Sequence, residues 1–278
     1  MLYILMALGV ISSLLTMFFL HWYTQWYHIL IFIGFAIVGF ILWVAVYALF
    51  LLLVSLTIDK KKEVKKPNMF YHFFVTQTMK MLVFFSNAHV TLEGAEMVPK
   101  DQKFLMVANH RSNYDPISCI SKLSKYHIIF VSKPENFQMP IAGAFMHKAG
   151  FMAIDRDSVR NAIVTINKAA EYIKSGQANV FIFPEGTRNR TDEDLLEFRS
   201  GAFKIATKAQ CPIVVATMID TEMVKKNFPW KHTHIIMKIV DVIPAEKVAV
   251  TKTTEITEEV KSKILEAIRE QRENSKKK

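Results

Sequence analysis

Phe104-Leu105-Met106-Val107-Ala108-Asn109-His110-Arg111-Ser112-Asn113-Tyr114-Asp115-Pro116 reads as the end of one element, a turn, and the start of another. The apolar run Phe104 to Val107 suits a short buried strand. Asp115-Pro116 has the chemistry of a helix N-cap followed by proline at the first helical position. His110 and Asp115 are five residues apart, which puts them on opposite faces of a strand and about 140° apart on a helix, so only a turn brings them together. The change from strand to helix supplies that turn. An Asp accepting from one imidazole nitrogen fixes the tautomer and leaves the other nitrogen as a general base, a role worth typically ~10²–10⁴ in rate. The same Asp serves equally as a plain helix cap, which requires no histidine.

Outward from this stretch the same alternation continues. Val90-Thr91-Leu92, Ile128 to Val131, Val180 to Phe183, Ile213 to Ala216 and His234 to Val240 read as further short strands. Helical stretches are expected at Pro116–Leu123, Val159–Ser175, Ala202–Lys208 and Thr257–Glu270. Strands alternating with helices predict an α/β fold with a mostly buried mixed sheet flanked by helices. Before the first strand, Phe70, Phe73, Phe74, Val75, Met81, Leu82 and Phe85 fall largely at helical spacing, giving an amphipathic helix that faces either the core or a membrane interface.

Three other constellations carry possible chemistry. Phe183-Pro184-Glu185-Gly186-Thr187-Arg188 ends an apolar strand with a turn that glycine permits, and exposed Thr and Arg at a sheet edge suit an oxyanion or phosphate. An ordinary strand-to-loop turn has the same look. Gly150-Phe151-Met152-Ala153-Ile154-Asp155-Arg156 offers an Asp-Arg pair of the kind that often makes a surface ion pair, and Cys211-Pro212-Ile213-Val214-Val215 by itself is a core strand entry. The chain has no G-x-S-x-G, no G-x-x-x-x-G-K-[ST], no G-x-G-x-x-G and no H-E-x-x-H, so serine hydrolase, nucleotide hydrolase and zinc protease readings lose their usual support.

Charge divides the chain. It has 278 residues, 51% hydrophobic and 22% charged, with 35 Lys and Arg against 25 Asp and Glu, yet the first 58 residues contain no Lys, Arg, Asp or Glu. Met1 to Leu20 is an apolar run about as long as a hydrocarbon core is thick, and Ile29 to Ile58 is longer than one span requires. Between them His21-Trp22-Tyr23-Thr24-Gln25-Trp26-Tyr27-His28 has the aromatic character of a headgroup boundary. A two-helix membrane hairpin is expected, either spanning the bilayer or re-entrant in one leaflet, since both give the same topology. A cleaved signal peptide would want a positive n-region and a small-residue cleavage site, and neither is present. Lys60, Lys61, Lys62, Lys65 and Lys66 follow directly, which places the remaining domain on the cytoplasmic side by the positive-inside rule. The two cysteines, Cys119 and Cys211, have no metal or disulfide spacing, and no structural zinc is expected.

In this order and spacing the four constellations resemble the glycerolipid acyltransferase family. Asn109 to Asp115 matches its N-H-x-x-x-x-D block, Gly150 to Arg156 its second, Phe183 to Arg188 its F-P-E-G-T-R block without departure, and Pro212-Ile213 its fourth, over about residues 88 to 220. The resemblance implies a single acyltransferase domain that moves a fatty acyl group from a coenzyme A or acyl carrier protein thioester to a lysophospholipid hydroxyl, with lysophosphatidate the first choice of acceptor. It implies catalytic His110 and Asp115, an acceptor phosphate site lined by Glu185, Gly186, Thr187 and Arg188, and Lys133 and Arg156 as helpers. No bound cofactor or metal is implied, because a thioester is already activated. Another lysophospholipid or glycerol 3-phosphate stays open as acceptor.

The expected layout is a membrane hairpin at 1–58, a basic and amphipathic connection at 59–86, the α/β acyltransferase domain at 87–273 and a basic tail at 274–278. A membrane-tethered protein that only binds anionic lipid is one competing function, and a hydrolase in which His110 activates water is another. A nucleic-acid module is disfavoured, since the basic residues are dispersed and carry no recognised motif.

Overall fold

The computed structural model describes residues 1–21, 25, 27–155 and 158–276, with side chains to 273. Most of the aromatic cluster at 22–26, Arg156 and the end of the basic tail lie outside the described residues. The chain divides into two compact units, Met1–Lys61 and Lys62–Lys278.

The first unit is a helical hairpin of α1 (Leu2–Phe19) and α2 (His28–Leu56). Both helices are long and apolar enough to cross a membrane. Small residues let them approach: a Cβ added to Gly9 would lie 2.8 Å from the Phe40 nitrogen, and one added to Gly39 would lie 3.1 Å from the Gly9 oxygen. Hydroxyls complete the seam, with Ser13 Oγ donating to the Phe32 carbonyl at 2.9 Å and Trp43 Nε1 donating to Ser12 Oγ at 3.2 Å.

The second unit holds a seven-stranded mixed sheet in the order β1-β7-β6-β2-β5-β3-β4. The strands are β1 (Ala88–Glu93), β2 (Leu105–Ala108), β3 (Ile128–Ser132), β4 (Met152–Ala153), β5 (Asn179–Ile182), β6 (Ile213–Ile219) and β7 (Thr233–Ile243). Strands β6, β2, β5, β3 and β4 run parallel, while β7 is antiparallel to β6 and parallel to β1. Every residue of β2 and β5 is buried, as expected of parallel strands covered on both faces, and that is why they read as apolar runs, with Asn179 at the start of β5 the one polar residue. The parallel arrangement brings the C-terminal ends of β6, β2, β5 and β3 to one edge.

Helices α4 (Tyr114–Lys122), α5 (Ala142–Lys148), α6 (Val159–Lys174), α7 (Lys204–Ala209), α8 (Met223–Asn227), α9 (Ala245–Val250) and α10 (Thr253–Lys276) complete the domain together with α3 (Met69–Phe85). Asn68 caps α3 by accepting from the Phe70 N–H at 2.9 Å. The helix faces both ways: His72, Val75, Thr76 and Met81 are buried, while Met69, Phe70, Phe73, Leu82 and Phe84 are exposed. Its inner face meets α5 through Tyr71 and Phe145, ring centroids 5.5 Å apart, and meets β3 where His72 Nε2 lies 3.1 Å from the Ile128 carbonyl. Burial pushes His72 below the ordinary histidine value, and burial with His72 nearby pushes His127 down to about 4.

Candidate active site

β2 stops pairing at Ala108, and the next side chain takes over from the main chain. Asn109 is fully buried; its Nδ2 donates to the Met218 carbonyl at 2.9 Å and its Oδ1 accepts from the Met218 N–H at 2.7 Å. The amide side chain thus bridges to β6 while the backbone leaves the sheet.

His110 is the first residue of that departure and is held on every side. Its N–H donates to Glu185 Oε1 at 2.5 Å, and its carbonyl accepts from the Asn189 N–H at 2.6 Å. Its ring lies flat on Phe183, centroids 4.2 Å apart and 16° from parallel. Nδ1 is 2.7 Å from Asp115 Oδ2. Among the described residues nothing hydrogen-bonds Nε2, and the side chain keeps 17% of its surface exposed. With Asp115 accepting at Nδ1, Nε2 is the basic nitrogen.

Asp115 does not cap its helix in the expected way. The N-cap is Asn113, which puts Asp115 in the first turn of α4 and Pro116 one residue further in. Instead of reaching forward to helix N–H groups, the carboxylate turns back over the loop. Its Oδ2 accepts from the N–H groups of Arg111 and Ser112, each at 2.7 Å, and its Oδ1 accepts from Thr221 Oγ1. With the Asp115 carboxylate committed to Arg111 and Ser112, Ser112 Oγ accepts from the Tyr114 N–H at 3.1 Å at the start of α4. Four donors, His110 among them, thus converge on a carboxylate with no exposed surface.

Glu185 is likewise buried, and both oxygens are taken by main chain: Oε1 by His110 and Oε2 by the Leu196 N–H at 3.1 Å. Its carboxyl therefore faces protein amides, and its hold on the site runs through the His110 backbone. Burial is the leading cause that pushes its pKa up to about 7, opposed by those two N–H groups and assisted by the Asp115 charge. Gly186 turns the chain with φ of 72°, a left-handed conformation that favours glycine. Thr187 follows exposed and Arg188 half-buried, and among the described residues Arg188 makes no ion pair. Lys133, exposed, follows β3 at the same sheet edge. Arg156 lies outside the described residues.

The structure thus brings His110, Asp115 and the Glu185 turn into one hydrogen-bonded body, with Lys133 two strands from β2. Thr221 and Phe183 complete it. The sequence holds no signal for Thr221, since a threonine after a strand is unremarkable until β6 carries it beside Asp115. Arg111 was inside the recognised block, and its guanidinium donates to the Glu193 carbonyl at 3.0 Å and sits 3.6 Å from Glu222.

The two cysteines are poorly placed for nucleophilic chemistry. Cys119 is fully buried and its thiol is pushed well above its ordinary value, while burial pushes Cys211 up to about 12, so neither is a ready thiolate. Among the described residues no group of three His, Cys, Asp or Glu is arranged to hold a metal. A cavity of about 860 Å³ lined by Lys103, Lys125, Asn179 and Cys211 opens at the N-terminal ends of the central strands, the edge opposite His110.

Residues 89–219, which contain His110, Asp115, Phe183 and the Glu185 turn but not Thr221 or β7, match the Acyltransferase family pattern. These residues form an acyltransferase-family domain. Two curated relatives are named 1-acyl-sn-glycerol-3-phosphate acyltransferase. The one from Saccharomyces cerevisiae is 29% identical over 204 residues, 72% of this chain and 64% of that protein. The one from Haemophilus influenzae is 31% identical over 156 residues, 55% of this chain and 64% of that protein. The matches thus span a little under two thirds of those relatives' length. The fold is that of the 1-acyl-sn-glycerophosphate (LPA) acyltransferase of Thermotoga maritima, with a TM-score of 0.59 at 21% identity, covering 81% of this chain and 88% of that one.

Proposed function

We propose that this chain is a membrane-anchored acyltransferase that moves a fatty acyl group from a coenzyme A or acyl carrier protein thioester to the sn-2 hydroxyl of lysophosphatidate, giving phosphatidate. The observation that carries the reading is the His110–Asp115 pair: a 2.7 Å contact at Nδ1 on a fully buried carboxylate, with Nε2 at the sheet edge and unbonded among the described residues. His110 Nε2 takes the proton of the acceptor hydroxyl as its oxygen attacks the thioester carbonyl. Collapse of the tetrahedral species expels the thiolate, which recovers the proton from His110. Asp115 holds the imidazole in the needed tautomer and balances its transient charge. No acyl-enzyme forms and no cofactor takes part.

The acceptor phosphate is taken by Arg188 with Thr187 and the Gly186 turn, with Lys133 and Arg156 assisting. A guanidinium half-buried and without an ion partner among the described residues suits a bidentate phosphate contact. Glu185 keeps the turn and His110 in register from below. The names of the relatives favour lysophosphatidate as acceptor. The hairpin of residues 1–58 anchors the domain, and the lysines at 60–66 favour a cytoplasmic active site. A lipid acceptor already resident in the bilayer gains from such an anchor, whereas glycerol 3-phosphate does not.

The test is a comparison of acceptors in one lipid nanodisc preparation, following thiol release and phosphatidate together. Lysophosphatidate should exceed glycerol 3-phosphate in kcat/KM by more than about tenfold. A preference for glycerol 3-phosphate overturns the acceptor. Free fatty acid appearing in place of phosphatidate overturns transfer in favour of hydrolysis.

A further inference from the structure

The hairpin provides a reason for a bilayer to be near without determining which face of the α/β domain meets it. The connection between β6 and β7 answers that question. It runs Met223-Val224-Lys225-Lys226-Asn227-Phe228-Pro229-Trp230-Lys231-His232, and it carries the most exposed large apolar side chain among the described residues, Trp230 at 90%, with Phe228 at 54%. A tryptophan so placed gains nothing from water. Its exposure is built in: Val224 is buried as an anchor, the Phe228 N–H donates to the Val224 carbonyl at 3.0 Å, the Lys231 N–H donates to the Asn227 carbonyl at 2.8 Å, and Asn227 Nδ2 donates to Thr233 Oγ1 at 3.0 Å. Lys225, Lys226 and Lys231 ring the two aromatics, all exposed.

A second group of exposed apolar side chains adjoins the first. Leu82 and Phe84, at the end of α3, are 42% and 52% exposed. Asn87 ties the two groups together. Its N–H donates to the Phe84 carbonyl at 3.1 Å, its carbonyl accepts from the Thr233 N–H at 3.0 Å, and its Oδ1 lies 3.0 Å from His232 Nδ1. Because β7 is antiparallel to β6 and parallel to β1, both groups stand at the sheet edge where β6 and β2 end. That is the His110 edge, and the loop begins two residues after Thr221, which bonds Asp115.

We infer that Phe228 and Trp230, with Leu82 and Phe84 beside them, seat in the headgroup layer of an anionic membrane while Lys225, Lys226 and Lys231 contact its phosphates. This turns the catalytic edge toward the bilayer. Aromatic side chains settle at that depth, and basic side chains around them favour anionic lipid. A membrane is favoured over an acidic protein because Leu82 and Phe84 extend the same apolar face and the chain already carries two helices apolar enough to cross a bilayer. The inference rests on the membrane reading of the proposed function and adds the orientation of the domain.

The test uses the full chain with Trp230→Cys carrying an environment-sensitive fluorophore, Cys119 and Cys211 being buried at 0% and 4% exposure. The reconstituted vesicles are of phosphatidylcholine with or without phosphatidylglycerol, with nitroxides placed near the headgroup. A control label at Asp101→Cys, which lines the cavity at the N-terminal ends of the central strands, stands at the opposite edge. The label at position 230 should be quenched about threefold, more strongly with phosphatidylglycerol, and the label at 101 should not be. Adding Lys225→Ala, Lys226→Ala and Lys231→Ala should abolish the extra quenching by anionic lipid. Equal water exposure of the two labels overturns the proposal, as does failure of the chain to float with vesicles, or shielding that appears only on adding an acidic carrier protein. No turnover is needed for this reading, so a quenched label on a chain without acyl transfer fails the proposed function alone.

Discussion

In the helical hairpin Gly9, Ser13 and Gly39 are buried between the helices along with a few larger residues such as Leu5 and Leu51, and most leucine, isoleucine and phenylalanine side chains face outward. In the α/β unit the order is reversed, with Leu105, Phe181 and Ile213 wholly buried and lysines on the surface. Gly9 and Gly39 are within van der Waals contact of the opposite helix, while Ile4, Leu14, Ile37 and Ile41 are each more than 50% exposed. Burying apolar surface stabilises the second unit, and it has no such leverage in the first if hydrocarbon surrounds it, where close backbone approach and hydroxyl hydrogen bonds must suffice. Small and large apolar residues are thus sorted oppositely in the two units. Chemistry follows the sorting: the hairpin holds no charged side chain before Asp59, and the groups proposed to act on substrate all belong to the α/β unit.

The sharpest way to break this division of labour is to remove the proposed base. His110→Ala and Asp115→Ala should each lower kcat by about two orders of magnitude or more, with the chain still folded and membrane-bound. Near-normal turnover in folded His110→Ala would sink the mechanism. Thr221→Val, which removes one of four donors on Asp115, should cost about tenfold in kcat. Arg188→Ala should raise KM for lysophosphatidate about tenfold with a small change in kcat, since a phosphate contact made in both ground and transition states contributes uniform binding. An equal loss on an acceptor without phosphate would assign Arg188 to the fold or the donor site.

Glu185→Gln tests stability instead of turnover. With its carboxyl raised from 4.5 to about 7, the folded chain holds a proton that the unfolded chain has released. The stability this contributes is complete below the unfolded value of 4.5 and is lost as pH rises through about 7. The thermal midpoint of the parent in detergent should therefore fall across that window relative to Glu185→Gln, whose amide does not titrate. Parallel curves would show that the carboxyl titrates normally.

The smallest effect on turnover is expected from the hairpin. Gly9→Leu collides with the Phe40 backbone, whereas Gly34→Leu has open space, with nothing within 4 Å of its Cβ. In nanodiscs Gly9→Leu should speed amide exchange across 2–19 and 28–56 and Gly34→Leu should not, while turnover on a short-chain, water-soluble acceptor changes less than about twofold in either. A large loss of that turnover would mean the hairpin does more than anchor.

The central strands were legible because parallel strands buried on both faces leave unbroken apolar runs, as in Leu105 to Ala108 and Val180 to Ile182. The short helices α5, α8 and α9 were not, since five to seven residues carry too few turns for a period to show. Asp115-Pro116 looked like a cap and its proline like a first helical residue, yet tertiary contacts overrode the local preference: a threonine over a hundred positions away and two loop amides outbid the helix N–H groups for the carboxylate. The motif spelled out which residues gather, and the contacts decided what each one holds. Glu185 is the clearest case, a carboxylate in a block expected to meet phosphate that instead supports two loops from beneath.

The four donors on Asp115 also determine how the site fails on heating. The amides of Arg111 and Ser112 are locked onto a carboxylate with no solvent-facing surface, and Asn109 and Thr221 fasten that loop to β6 on either side. No small local opening frees these amides, so they should exchange with solvent only when the α/β unit opens as a whole. Inactivation by heat should then coincide with loss of the sheet, and a chain that has kept its sheet should have kept its imidazole aimed.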